Sequence, residues 1–172
     1  MPGYIPQLEK TGKFNHILWP NHCLKGSLGE TIDSTLFNSL TFWENIQGKN
    51  FQLIPKGLSP YTEMFGAFAP QVNTYTGGDI FNYNLLDKLY NYDEVLVAGE
   101  AKTHCVLFTL EQIFNSAKSL PADVFKENNI CLIEDCMSDI VGFEDKANEI
   151  WLKLFEQGLR SCKVNELDLI EK

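Results

Sequence analysis

Apolar residues recur at helical spacing in four stretches of the chain and form short continuous runs in three others. The helical stretches are residues 32–48, 83–90, 105–117 and 147–158. The short runs, which predict buried strands, are 51–54, 94–98 and 130–133, with a weaker fourth strand at 163–167. Strands that alternate with helices predict an α/β fold in which a parallel sheet is covered by helices on both faces.

Residues 1–29 show neither period and are rich in Pro, Gly and Asn, so we predict an irregular lead-in there. The length of 172 residues fits one domain, and we predict a single domain over 1–172. Two features of this domain are unusual. The lead-in is long, and three firm strands are fewer than the roughly five or six of a typical sheet. Both features suggest that a structural neighbour is missing.

Charge and cysteine usage narrow the class of protein. The chain has 14 Lys and Arg against 23 Asp and Glu, a net charge of −9, which argues against nucleic acid and anionic membranes as partners. There is no long apolar run and no basic, apolar leader, so we expect a protein that does not enter membranes. Five cysteines without a Cys-x-x-Cys pair fit reduced thiols and a cytoplasmic location.

Cys105 is the best candidate for chemistry. It follows a predicted strand and a tight turn and opens a predicted helix, where unpaired N–H groups and the helix dipole favour a thiolate. The turn from Gly99 to Ala101 offers backbone N–H groups that, with that of Cys105, can converge on an oxyanion. Lys56, after the predicted strand 51–54, is placed to stabilise such charges. The alternative is that Cys105 packs in the core and Lys56 is a surface group.

Histidines and aromatic residues give weaker signals. His22 and His104 each precede a cysteine, but this spacing does not match a structural zinc site, and His104 is poorly placed to act as the general base for its own neighbour. Trp19, Phe65 and Phe68 fall in predicted loops, where they either wall a pocket for an aromatic ring or belong to the core.

Four strings of the sequence, in this order and approximate spacing, resemble the nicotinamidase branch of the isochorismatase-like cysteine hydrolase family. The strings are Trp19 to Cys23, Lys56-Gly57, residues 63–68, and residues 97–101 through Cys105-Val106. The resemblance runs from about Trp19 to Asp145. It implies a three-layer αβα fold with a parallel sheet.

The resemblance also implies an activity and roles for individual residues. Cys105 is then the nucleophile, Lys56 the active-site lysine, and the N–H groups of Ala101 and Cys105 the oxyanion hole, with a cis peptide between Glu100 and Ala101. His22 is one ligand of a divalent metal, most often zinc in this family. The implied reaction converts nicotinamide, or another small carboxamide, to the acid and ammonia through a thioester.

The sequence departs from the family at its beginning. The family's triad aspartate lies on its first strand, and an Asp-x-His pair after its second strand supplies further metal ligands, yet neither is found upstream of Trp19. We therefore expect that the first strands of the fold are missing and that the exposed sheet favours homo-oligomers or pairing with another chain. The non-enzymatic alternative is a fold relative, or a fragment, that acts by binding a partner chain.

Overall fold

The structure is a computed structural model and describes residues 3–10, 16–72, 81–118 and 129–167. The chain divides into two compact units, which are described separately. The small unit is Asn15–Pro55, and the large unit combines Met1–Phe14 with Lys56–Lys172. That the chain forms one domain over 1–172 stays a prediction.

The large unit contains a parallel sheet with α-helices between its strands, which confirms the predicted α/β class. The strands are β1 (Val95–Val97), β2 (Ile130–Ile133) and β3 (Arg160–Cys162), in the order β1-β2-β3. Both pairings are parallel, with Val95 opposite Ile130 and Cys131 opposite Arg160. Within the described residues, the α-helices are α1 (Tyr4–Lys10), α2 (Ser34–Gln47), α3 (Tyr83–Leu89), α4 (Leu107–Ala117) and α5 (Glu144–Glu156).

The core of the large unit lies between β2, α4 and α5. All four residues of β2 are buried, as the continuous apolar run predicts for a central strand. Helix α4 presents the apolar face predicted from its spacing. The core residues are Phe68, Leu86, Val106, Leu107, Leu110, Ile113, Phe114, Ile130, Leu132, Ala147, Trp151, Leu154 and Leu159. This packing fixes β1 and β2 relative to α4, and the candidate site is built at their ends.

The predicted irregular lead-in contains a helix, α1, which corrects that prediction. Pro6 lies in the first turn, where its missing N–H is tolerated. Leu8 is buried, and the Tyr4 hydroxyl accepts a hydrogen bond from the backbone N–H of Glu63. A helix of seven residues is marginal by itself, so these tertiary contacts account for a helix that local spacing did not reveal.

The last predicted strand, 163–167, is also wrong in its position. Strand β3 ends at Cys162, and Val164–Glu166 forms a 3₁₀ turn. The N–H of Val164 donates to the Asp135 carboxylate at 3.0 Å, which draws the chain out of the extended conformation.

In the small unit, the predicted helix is present as α2 and the predicted strand is not. Asp33 caps the first turn of α2 by accepting from the N–H groups of Thr35 and Leu36, and Gly48 ends the helix at φ +61°. Residues 51–54 form no strand because their backbone joins no ladder, and Leu53 is 65% exposed. An apolar run in the sequence does not show whether a neighbouring strand is present to pair with it.

No helix in the described ranges combines the length and the apolar character that crossing a membrane requires.

Candidate active site

Cys105 lies just beyond the carboxyl end of β1, in a turn of unusual geometry. The peptide between Glu100 and Ala101 is cis, as the resemblance implies. The carbonyl of Ala101 accepts from the N–H groups of both His104 and Val106, at 3.1 and 3.2 Å. The bond from Val106 spans five residues and belongs to a π-helical turn, Lys102–Val106, that leads into α4. Cys105 is therefore the fourth residue of this turn, which corrects the prediction that it opens the helix.

Lys56 is the polar group that contacts the Cys105 thiol in the described part of the chain. Its Nζ lies 3.8 Å from Cys105 Sγ and donates to the carbonyl of Met64 at 2.9 Å. Cys105 is half-buried, whereas Lys56 is exposed. Lys56 does not follow a strand, since residues 51–54 form none, and the Met64 carbonyl is what directs its ammonium group. The structure thus brings together two residues that are 49 positions apart in sequence.

The turn before Cys105 also presents a free donor. The N–H of Ala101 has no acceptor among the described residues, whereas the N–H groups of Gly99 and Lys102 on either side are bonded. Because the Ala101 carbonyl is held by two donors, the orientation of this segment is fixed. A free backbone N–H in the same turn as a thiol is the kind of group that can bind an oxyanion developing during attack on a carbonyl.

A second segment, the anchoring loop (residues 136–140), holds this turn in place. The loop follows β2, whose carboxyl end lies beside that of β1 because the two strands are parallel. Gly99 N–H donates to Cys136 O at 3.2 Å, and Lys102 N–H donates to Ser138 O at 2.8 Å. The Glu100 carboxylate accepts from both the N–H and the hydroxyl of Ser138, at 3.1 and 2.8 Å.

The first residues of the π-turn are bonded to the same loop through a buried side chain. Thr103 is fully buried, and its Oγ1 accepts from Ile140 N–H at 3.1 Å. It also lies 2.9 Å from Nδ1 of His104. Burial lowers the pKa of His104, and its ring packs edge-on against Phe65 and Phe143. His104 is therefore a buried residue that packs against aromatic rings.

A polar stripe on α4 positions the segment that directs Lys56. Thr109 Oγ1 donates to the carbonyl of Cys105 at 2.6 Å and accepts from Ala67 N–H at 3.0 Å. One turn further on, Gln112 accepts from the N–H groups of Phe68 and Ala69 and donates to the carbonyl of Ala69. Helix α4 thus fixes residues 64–69 and Cys105 at once.

Sequence reasoning missed Thr109 and Gln112, although a signal was present. They lie four and seven residues after Cys105, which places all three on one face of the helix. Polar residues at those two positions interrupt the apolar face of α4. Glu100 and Ser138 offered no such signal, because their contact depends on which strands are neighbours in the sheet.

The predicted pocket residues divide between the two units. Phe65 is half-buried and stacks on Phe108, with ring centroids 5.4 Å apart. Phe68 is 1% exposed and lies in the core rather than at an open wall. Trp19 and His22 belong to the small unit, where both are exposed.

The described residues do not fit the divalent metal that the resemblance implies. Among them, no three His, Cys, Asp or Glu side chains come together as a protein metal site requires. His22 is exposed, and its Nδ1 lies 2.5 Å from the carbonyl of Pro20. We therefore derive no chemical step through a metal.

The strand order, the helices and the turn that carries Cys105 form an α/β fold that this chain shares with solved structures of nicotinamidases and a pyrazinamidase. Among solved structures with this fold, the chain is similar to the yeast nicotinamidase, with a TM-score of 0.58 and 19% identity over 84% of this chain. It is equally similar to a nicotinamidase and pyrazinamidase of Acinetobacter baumanii, with a TM-score of 0.58 and 20% identity over 87% of this chain.

A pyrazinamidase of Pyrococcus horikoshii in complex with zinc matches 93% of this chain with a TM-score of 0.51 and 14% identity. The chain spans 58% of the yeast protein, 61% of the Acinetobacter protein and 80% of the Pyrococcus protein. No protein-family model and no curated protein sequence matches the chain. At these identities the likeness establishes the fold.

Proposed function

We propose that this protein is a cysteine amidohydrolase that cleaves a small carboxamide, with nicotinamide as the substrate and nicotinate and ammonia as the products. The observation that carries the proposal is the contact between Lys56 and Cys105, with Nζ 3.8 Å from Sγ. The same turn contains the N–H of Ala101, which has no acceptor among the described residues. The fold supports it, since solved structures of this fold include nicotinamidases, one of them bound to the inhibitor nicotinaldehyde.

In the proposed reaction, Cys105 is the nucleophile. Its sulfur attacks the amide carbon, and the N–H groups of Ala101 and Cys105 stabilise the resulting oxyanion. The Lys56 ammonium lies beside the attacking sulfur, and its bond to the Met64 carbonyl keeps it in place. The C–N bond then breaks, and the nitrogen takes up the proton of the Cys105 thiol and leaves as ammonia. Water hydrolyses the thioester, which gives the acid and restores the thiol. Phe65, half-buried beside this turn, is the aromatic wall that we assign to the substrate ring.

The test is ammonia release from nicotinamide by the purified chain and by two cysteine variants. We expect Cys105→Ala to abolish release, whereas Cys136→Ala, which removes an exposed thiol, retains it. Equal turnover by wild type and Cys105→Ala contradicts the assignment of the nucleophile. A panel of other small carboxamides, with pyrazinamide among them, identifies the substrate.

A second candidate function, binding of a partner chain, is favoured by two exposed apolar surfaces. Within the described residues, β1 pairs only with β2, so its outer edge is open, and Leu96 on it is 39% exposed. In the small unit, α2 has no buried residue, and Phe42 on it is 68% exposed. Open strand edges and apolar patches of this kind promote association.

Light scattering of the purified chain tests the second candidate. We expect oligomers that become smaller in Leu96→Lys, because a charged residue blunts a strand edge. Leu152→Lys, a matched change at an exposed position of α5, leaves them unchanged. A monodisperse wild-type monomer that unfolds cooperatively rules out this candidate.

A further inference from the structure

Two cysteines outside the candidate active site face each other across neighbouring strands. Sγ of Cys131 on β2 lies 3.1 Å from Sγ of Cys162 on β3, and both are free thiols. Cys131 is paired with Arg160 and Ile133 with Cys162, so the two thiols share a face of the sheet, displaced by two residues along the strands. A disulfide bond is about 2.05 Å long, so the sulfurs need to approach by only about 1 Å.

We propose that Cys131 and Cys162 form a redox-active dithiol, a modification site that hydrogen peroxide converts into an intramolecular disulfide. The Cys162 sulfur first attacks the peroxide, whose O–O bond breaks. One oxygen stays on sulfur as a sulfenic acid, and the other leaves as water with the thiol proton. The Cys131 sulfur then attacks the Cys162 sulfur, whose S–O bond breaks to release a second water. In total, two thiols lose two electrons, and one peroxide is reduced to two waters.

The order of these two steps follows from the exposure of the two thiols. Cys131 is 3% exposed, on the central strand, whereas Cys162 is half-buried, on the last strand of the described sheet. Burial, and then the neighbouring Cys162 thiol, raise the pKa of Cys131 to about 11. Cys131 is therefore protonated and shielded from solvent, and Cys162 is the thiol that reacts first with hydrogen peroxide. Cys131 acts as the resolving thiol because it is already in contact.

The contact also distinguishes this pair from the other three cysteines. Cys23, Cys105 and Cys136 make no sulfur–sulfur contact in the part of the chain that the structure describes. Oxidation of any of these three cysteines either modifies a single sulfur or forms a disulfide with another molecule. The pair is thus expected to give a disulfide that depends on neither protein concentration nor the candidate nucleophile.

The disulfide would fasten β3 to the central strand. It closes a loop that contains α5, which restricts the unfolded chain and raises the temperature of unfolding. Because the two thiols are diagonal, the bond also draws β3 along β2. We therefore expect the amides of β3 to be the first whose hydrogen-exchange rates change when the disulfide forms.

The experiment treats the full chain with hydrogen peroxide, blocks remaining thiols by alkylation after unfolding, and maps the peptides by mass spectrometry. We expect a Cys131–Cys162 cross-link, lighter by two hydrogen atoms, that dithiothreitol reverses and that forms equally at high and low protein concentration. A chain in which Cys23, Cys105 and Cys136 are replaced by Ser isolates the pair, and adding Cys162→Ser is the matched control.

The control chain is expected to form no intramolecular disulfide and to show no rise in unfolding temperature. The proposal is overturned if Cys131 stays open to alkylation while Cys162 accumulates as a sulfinic acid, or if the cross-link forms only between molecules. Peptide mapping of the wild-type chain distinguishes these outcomes by itself, so the result does not depend on whether the variants fold.

Discussion

Replacing Gln112 by methionine should loosen residues 64–69 without changing the packing of α4. Gln112 Oε1 accepts from the N–H groups of Phe68 and Ala69 at 3.0 and 3.3 Å, and Nε2 donates to the Ala69 carbonyl at 2.8 Å. Methionine keeps the length and volume of the side chain. This matters because the side chain lies against Gly66, where an added Cβ would be 2.4 Å from Oε1.

The size of the effect follows from these three hydrogen bonds. Each contributes about 1 kcal/mol net, and the N–H of Phe68 is left buried without an acceptor. Because Gln112 and Ala69 are only half-buried, we expect a total loss of about 2–3 kcal/mol. If opening is local, the amides of Phe68 and Ala69 should exchange about 30- to 150-fold faster in the variant.

Hydrogen exchange measured on peptides that cover residues 64–69 checks this, together with urea unfolding. Asn115→Met is the control, since Asn115 is exposed on the same helix and bonds only to Lys118 among the described residues. We expect its unfolding free energy to stay within about 0.5 kcal/mol of wild type. If Gln112→Met changes neither the hydrogen exchange nor the unfolding free energy, the three hydrogen bonds do not hold residues 64–69. Our explanation of how Lys56 is directed is then wrong as well.

Three further predictions concern the core, the buried histidine and the active-site contact. Leu154→Ala in α5 should cost about 2–5 kcal/mol in urea unfolding, because Leu154 is 2% exposed, whereas Leu152→Ala, at a position 64% exposed, should cost little. Burial lowers the pKa of His104, so the unfolded chain takes up its proton first; the melting temperature should fall as the pH drops below about 6.5, and less so in His104→Gln. An equal slope in both proteins contradicts this. Lys56→Met should slow alkylation of Cys105 several-fold, as followed by mass spectrometry, whereas Lys56→Arg, which keeps the positive charge, should slow it less.

Elements with a strong local pattern were predictable from the sequence. Helix α2 has apolar residues at helical spacing and ends at Gly48, and β2 is a continuous apolar run, so both are predicted close to their observed bounds. Helix α1 was missed because its stability comes from contacts with distant residues, such as that of Tyr4 with Glu63. Residues 51–54 were assigned wrongly because an apolar run does not show whether a strand has a neighbour.

The candidate site was predictable to the extent that it depends on short strings. Cys105 and Lys56 were both singled out, and the structure brings them into contact. What the sequence could not provide was the support around them. The hydrogen bond between Ser138 and Glu100 can be predicted only if β1 and β2 are known to be neighbours. The contact of Cys131 with Cys162 can likewise be predicted only if β2 and β3 are known to be neighbours.

The bonds between the turn at 99–103 and the anchoring loop constrain how this protein can change length during evolution. Gly99 is hydrogen-bonded to Cys136, Lys102 to Ser138, and Thr103 to Ile140. Residues further along one segment therefore bond to residues further along the other. A residue inserted in either segment would shift every later hydrogen bond between them by one residue. Homologous sequences that keep Cys105 should therefore show no insertions or deletions in either segment, even where the residues themselves differ.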